Sequence, residues 1–457
     1  MKTIFFYLII GLCVVGFFSI SYMADQQAWP EFQASLIKKE IIVEEPVIEE
    51  PPTIEEPLEM IDDAVIIREV SKDLIAEKIE QGKEFLYRME RVQNHGFYKR
   101  YEAETDHLGD NLHTVYSASI IYTFLYINDY QYINDYQEDK KILRNLPLWG
   151  DYLLSMQNKD NSSPVYGAFN YSYDWYKQEK EQRYVVGTAA LSIFTLLRLH
   201  EVTGEERFLE SAKLAGDWIL TMQREDGVIK PYTRLSEEGK WVSGNKESLL
   251  YNGQCLSALS KLYSYTKIDK YYLAAEKIAK HFAEKYELAG RQYVVGEYRT
   301  KNPISNSWIV MSLMDFYKVN QDDYYKDIIF ELSSQVIANQ FKDPNDLLNY
   351  GRIGGAYSTS GNGWISEVMT DTYSFCLEQK RADCEKYKET VVNIIRWIIQ
   401  YTYSEDNTSN LKAIGGVYWN KETKYVRTDS VCHALNGYSR IMKYLNDGVL
   451  VSIPKGL

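Results

Sequence analysis

A carboxylate inside an otherwise weakly charged stretch is the first residue able to do chemistry: Glu367, in Gly363-Trp-Ile-Ser-Glu-Val-Met-Thr. A buried carboxylate is costly unless it is paired or used, so Glu367 leads the candidates for a catalytic acid or base. Asp429 and His433 lie one helical turn apart and so share a helix face. Asp429 also follows Thr428 at a helix start, where acids serve as caps, and His433 suits a structural role as well as a catalytic one. Glu297-Tyr298 supplies a further acid and a phenol, or the edge of a surface hairpin.

Two chemistries fit these types, an epimerase or lyase and a glycoside hydrolase, with non-catalytic glycan binding at the cell surface as the alternative to both. Hydrolysis of a glycosidic bond needs two carboxylates across it, and Glu367 with Asp429, or Glu297 with either, would form the pair. Proton removal beside a carboxylate needs a His, Tyr or carboxylate base, and cations or hydrogen bonds on the substrate carboxylate. Arg183, Arg299, Arg352 and Arg427 are the cations, and a uronic acid is the matching anion. Other polar substrate-binding candidates are His113, Tyr184, Tyr251, Asn252, Gln254, Asn306 and Tyr425, with Asp106, His107, Asn111 and Tyr357 nearby in the same segments. Trp364 and Trp419 are expected to stack on sugar faces.

These residues are scattered along the chain, so one architecture must gather them. A unit recurs six times: an amphipathic outer helix, such as 211–223, then a tyrosine-ended extended piece, then a second helix poor in charge and rich in small residues. The second helices read 113–126, 187–200, 253–265, 305–317, 363–375 and 428–441. Twelve alternating helices predict an all-α fold, an (α/α)6 toroid of six helical hairpins with short β-hairpin-like loops. An open solenoid of helical pairs is the alternative, but no capping repeat is evident. In a closed ring the inner-helix starts meet at one rim, and their positive ends favour an anion.

The twelve-helix pattern and its loop endings resemble the six-hairpin glycosidase superfamily over roughly residues 70–445. A narrower stretch is similar to the C-terminal domain of D-glucuronyl C5-epimerases, from Ser248-Leu-Leu-Tyr-Asn-Gly-Gln through Ala274-Ala-Glu-Lys-Ile-Ala to Gly296-Glu-Tyr and Asn302-Pro-Ile-Ser-Asn-Ser. That resemblance implies a role for Glu297-Tyr298. It departs at Ser430, where the family's later tyrosine would fall.

The remaining segments set the surroundings. Ile4–Met23 carries no charge and is long enough to span a bilayer, which predicts a signal-anchor over 1–24 with the rest outside the cytoplasm. Residues 25–66 repeat Glu-Glu-Pro and predict an extended linker, the toroid follows over 67–447, and 448–457 form a tail. The first 66 residues hold −9 of the net charge of −13, so the toroid is nearly balanced. No basic stripe appears, which argues against nucleic acid as a partner. Carbohydrate is the expected partner, with the membrane reached through the N-terminal helix. No CxxC pair exists and Cys432-His433 lacks cysteine partners, so neither a metal nor another cofactor is expected. Absence of a DxDD run argues against a toroid cyclase. Cys376 and Cys384 flank a short polar turn and predict a disulfide.

Overall fold

A computed structural model of the protein describes residues 60, 61, 64–133, 139–298 and 302–454. The expected anchor over 1–24 and nearly all of the linker lie outside them. No helix among the described residues is long and apolar enough to cross a membrane.

Six helices alternate with six others along the chain. The outer set is α1 (Lys72–Arg88), α3 (Lys140–Met156), α5 (Glu206–Thr221), α7 (Asp269–Leu288), α9 (Asp323–Ala338) and α11 (Glu385–Ile399). Between them run the inner helices α2 (Thr114–Ile133), α4 (Val186–Thr203), α6 (Leu249–Thr266), α8 (Asn302–Asn320), α10 (Thr359–Glu378) and α12 (Thr428–Ile441). Helix α5 buries Phe208, Ala212, Ala215 and Ile219 along one stripe, whereas α4 buries almost every residue from Val186 to Leu199. One-faced burial suits the outer layer and all-round burial the inner one.

Several inner helices begin a turn earlier than the sequence pattern predicts. Ser248 and Ser358 cap them, their hydroxyls accepting from the Tyr251 and Gly361 amides at 3.4 and 3.1 Å. These caps satisfy amides that a helix start leaves orphaned, and they draw the first turn back toward the loop.

The units are joined by repeated locks. After α3, α5 and α9, the side-chain amides of Gln157, Gln223 and Gln340 donate both to a loop glycine carbonyl and to a carbonyl of the next outer helix. Those glycines have positive φ and press on the next outer helix, so a Cβ on Gly167, Gly227 or Gly351 would meet a carbonyl oxygen at 2.3, 2.5 or 2.0 Å. A second lock pins the extended piece to the inner helix in four of the six units. Ser117, Asn252, Asn306 and Asn362 accept from the amides of Phe97, Ile229, Val294 and Ile353 at 2.8 to 3.0 Å.

The same contacts close the ring. Gly415 presses on Gln81 of α1 as the other loop glycines press on their neighbours, with a built Cβ only 2.0 Å from the Gln81 carbonyl oxygen. Inner helix α12 packs on α2 as well as on α10. Strand Thr423–Arg427 pairs antiparallel with Arg100–Glu102 at the rim. The segment expected as a tail supplies strand Val449–Ser452, which pairs with Glu69–Ser71 just before α1. Ala64, Val65 and Ile66, at the end of the expected linker, are buried. The open stack is excluded: the fold is a closed toroid. The disulfide Cys376–Cys384 joins the end of α10 to the start of α11, with Cα atoms 5.6 Å apart.

Candidate functional site

Ring closure places the inner-helix starts around one mouth. A cavity of about 400 Å³ opens there, and each inner helix contributes to its wall from its first turns. Tyr116, Thr188, Tyr251, Ser305, Ser360 and Asp429 stand at the entrance. One turn deeper every inner helix offers one residue in register: Ser119, Leu191, Gln254, Trp308, Trp364 and His433. Two further turns down, Tyr126, Lys261, Asp315, Asp371 and Arg440 line a lower cavity of about 180 Å³.

His433 stands where the two cavities meet and lines both. Its Nδ1 lies 2.5 Å from Oε1 of Glu367, which lines the lower cavity. Nε2 has no hydrogen-bond partner among the described residues. Burial lowers the imidazole pKa, but the Glu367 carboxylate, its hydrogen bond and Asp429 outweigh that, and the net value is raised above the usual 6.5. Arg440 brackets Glu367 from the other side, Nη1 to Oε2 3.9 Å, and ion-pairs with Asp371.

Asp429 is not a helix cap. Its carboxylate accepts from Arg427 Nε at 3.0 Å, Arg427 Nη2 at 2.5 Å and Ser360 Oγ at 3.0 Å. Arg427 also donates to the Tyr116 hydroxyl at 2.8 Å and lies 4.1 Å above the Trp419 ring. Burial, and after it Asp429, raises the Tyr116 pKa well above 10, so the phenol keeps its proton at neutral pH. Trp308 and Trp364 stack at 3.7 Å and 13°, and the Trp364 indole N–H donates to Ser307 at 3.0 Å. Below them Asp315 is buried. Desolvation would raise its carboxyl, yet Lys261 at 2.9 Å and Lys318 at 3.3 Å pull it down to about 2.

Tyr251, Gln254, Trp364, Trp419, Arg427, Asp429 and His433 therefore meet in the upper cavity, with Glu367 below. The other expected site residues do not line these cavities. Asn252 and Asn306 are spent on backbone locks, and Tyr184 is buried against Asn170 and Gln182. Glu297 is exposed and accepts from the Glu247 amide; Tyr298 stands behind Tyr251, ring centroids 6.3 Å apart. Arg183 pairs with Glu181 and covers Tyr171, while Arg352 binds Asn349 and covers Phe341. Tyr425 stacks under Arg100. His113 sits edge-on to Tyr116 and Tyr171, where burial and then Lys99, Arg183 and Arg427 push its imidazole down to about 3. Asp106 pairs with Lys412, His107 and Tyr357 are exposed, and Asn111 is half-buried in a rim strand. Arg299 lies outside the described residues.

The cavity uses residues that the sequence reading passed over: Tyr116, Ser360, Trp308, Lys261, Asp315, Asp371 and Arg440. A signal for them existed. Aligning the six inner helices on Ser117, Asn252, Asn306 and Asn362 puts Ser119, Gln254, Trp308 and Trp364 in one register, and the ionic residues in another two turns on.

No family model matches the chain, and no curated protein does. Solved structures do match. Cellobiose 2-epimerase from Bacillus thermoamylovorans superposes with a TM-score of 0.62 at 14% identity, over 82% of this chain and 99% of that one. An unsaturated glucuronyl hydrolase specific for heparin gives 0.58 at 13%, over 82% and 98%. A D-mannose isomerase gives 0.60 at 14%, over 82% and 98%. These structures share the closed toroid of helical hairpins with this chain.

Proposed function

We propose that the chain is a carbohydrate-active enzyme that moves a proton on a sugar, with His433 as base and Glu367 as the carboxylate that orients and charges it. The observation that carries this reading is the 2.5 Å contact between His433 Nδ1 and Glu367, at a histidine that lines the upper cavity. A carboxylate on Nδ1 fixes the tautomer that leaves Nε2 basic and stabilises the imidazolium that forms. Trp308, Trp364, Trp419 and Tyr251 provide aromatic walls for a pyranose, and solved neighbours of the same fold carry the names of sugar-acting enzymes.

A uronic acid is the substrate class this machinery suits. Six inner-helix N-termini at the mouth favour a carboxylate, which acidifies the neighbouring C5–H, while Arg427 is held by Asp429 and adds no net charge. The C5–H bond breaks, its proton passes to His433 Nε2, and the electron pair delocalises into the carboxylate. An epimerase then returns a proton to the other face, for which the Tyr116 hydroxyl, also in the cavity wall, is the proposed donor; a lyase expels the group on C4. The disulfide and the uncharged Ile4–Met23 run support a location outside the cytoplasm, on a membrane anchor.

A second reading, glycoside hydrolysis, is favoured by one observation: two carboxylates, Asp429 and Glu367, face the axial cavities. A third is glycan binding without turnover. Incubating the protein with uronate polysaccharides separates the three. Deuterium at C5 or ultraviolet absorbance of an unsaturated product marks proton abstraction, new reducing ends alone mark hydrolysis, and binding without change marks the third.

A further inference from the structure

The shaft does not end at His433. Upper and lower cavities share Ser119, Leu191, Trp308, Trp364 and His433 in their walls. The lower cavity in turn shares Tyr126, Asp371 and Arg440 with a third, of about 250 Å³, which is lined by residues from the C-terminal ends of α2, α10 and α12. Three cavities are thus contiguous, the third on the side of the ring where α10, α12 and α2 adjoin. Helix α12 runs beside all of them: His433 borders the first two, Asn436 the second, Arg440 the second and third, Ser439 the third. That spacing puts a polar stripe on one helix face.

Two atoms of the stripe lack partners. Asn436 Oδ1 and Ser439 Oγ are buried and make no hydrogen bond among the described residues, in side chains of residues only 4% and 6% exposed. An unsatisfied buried polar atom costs about 1–3 kcal/mol. Water is the partner that relieves this cost, and each cavity holds several molecules at roughly 30 Å³ apiece. Most charges facing the passage are matched, Lys261 and Lys318 with Asp315, Arg440 with Asp371 and Asp129 with Arg198, and only Lys443 in the third cavity has no ion pair among the described residues.

We propose that the stripe His433, Asn436, Ser439 and Arg440 lines a water-filled passage through the ring, by which the proton between His433 and Glu367 exchanges with solvent on the face opposite the mouth. Its use in turnover rests on the proton-transfer reading, since a sugar in the upper cavity seals the near side. The passage itself does not rest on it and is measured without substrate.

The experiment plugs each end in turn in the full chain and follows solvent exchange of the His433 Nδ1–H resonance by NMR. Ser439→Phe fills the third cavity and Ser360→Phe fills the mouth. The passage predicts that exchange persists in Ser360→Phe, whose mouth is filled, and falls several-fold when Ser439→Phe is added to that variant. Loss of exchange in Ser360→Phe alone overturns it, as does an unchanged rate on adding Ser439→Phe. Should Ser439→Phe fail to fold, Ser374→Phe, from a half-buried position lining the same cavity, makes the same test. Absence of sugar turnover in the parent protein bears on the proposed function and leaves this measurement intact.

Discussion

Glu367 and His433 face each other from neighbouring inner helices, the carboxylate Oε1 2.5 Å from the imidazole Nδ1, at the level where the upper and lower cavities join. In sequence they are far apart, and only the packing of α12 on α10 within a closed ring brings them together.

This pairing fixes a pH dependence. Burial and Arg427 lower the His433 pKa, Glu367 and Asp429 raise it, and the net shift is upward. A base must be deprotonated, so activity is expected to rise with pH on a limb above 6.5. Glu367→Gln removes the dominant raising charge and should move that limb to lower pH. The folded-state pKa exceeds the unfolded one, so the associated stability is fully present below about 6.5 and lost as pH rises through the folded value. Thermal melts across neutral pH, in the parent and in His433→Asn, check the sign.

Ring closure has its own test in Gly415. An alanine there meets the Gln81 carbonyl at 2.0 Å and adopts φ +85°, so Gly415→Ala should destabilise the fold by about 2 kcal/mol or more. Gly239, at φ +73° with nothing within 4 Å, is the control and should cost only about 1 kcal/mol. Equal losses in denaturant titrations would mean that the Gly415 loop does not bear on α1.

Lys261→Met strands a carboxylate. Asp315 then keeps only Ser257 and the largely exposed Lys318, and breaking such a buried pair costs about 3 kcal/mol. The deficit should shrink at low pH, as Asp315 takes up a proton. Urea unfolding at two pH values reads it.

The disulfide should matter to stability and not to the site. Cys376 lies near the end of α10, away from the mouth, and closing so short a loop contributes about 2.5 kcal/mol. Reduction is expected to lower the melting temperature by a few degrees while sugar binding persists.

The fold was legible because helix periodicity and burial pattern repeat six times, and a repeat survives local error. Caps were less so: Ser248 and Ser358 start their helices a turn early, which moved Asn252 from the cavity wall to a backbone lock. Sequence alone gives no direction for a side chain near a rim, so Arg183 and Arg352 read as free cations although each is engaged elsewhere. Glu367 and His433 were recoverable because they are polar residues close to the expected starts of inner helices, where a closed ring gathers a site, whereas Lys261, Asp315, Asp371 and Arg440 lie further along their helices and were missed. Trp308 was missed too, since a tryptophan in an apolar helix reads as core.

The central claim is that the Glu367–His433 pair removes a proton from a bound sugar, and isotope exchange measures that step itself. The protein is incubated in D2O with a uronate polysaccharide, and deuterium at C5 is followed by NMR. The account predicts deuterium uptake or an unsaturated product with the parent chain, and a loss of about 10² to 10⁴ in rate for His433→Asn with the fold retained. New reducing ends without deuterium, or full exchange in His433→Asn, would contradict it.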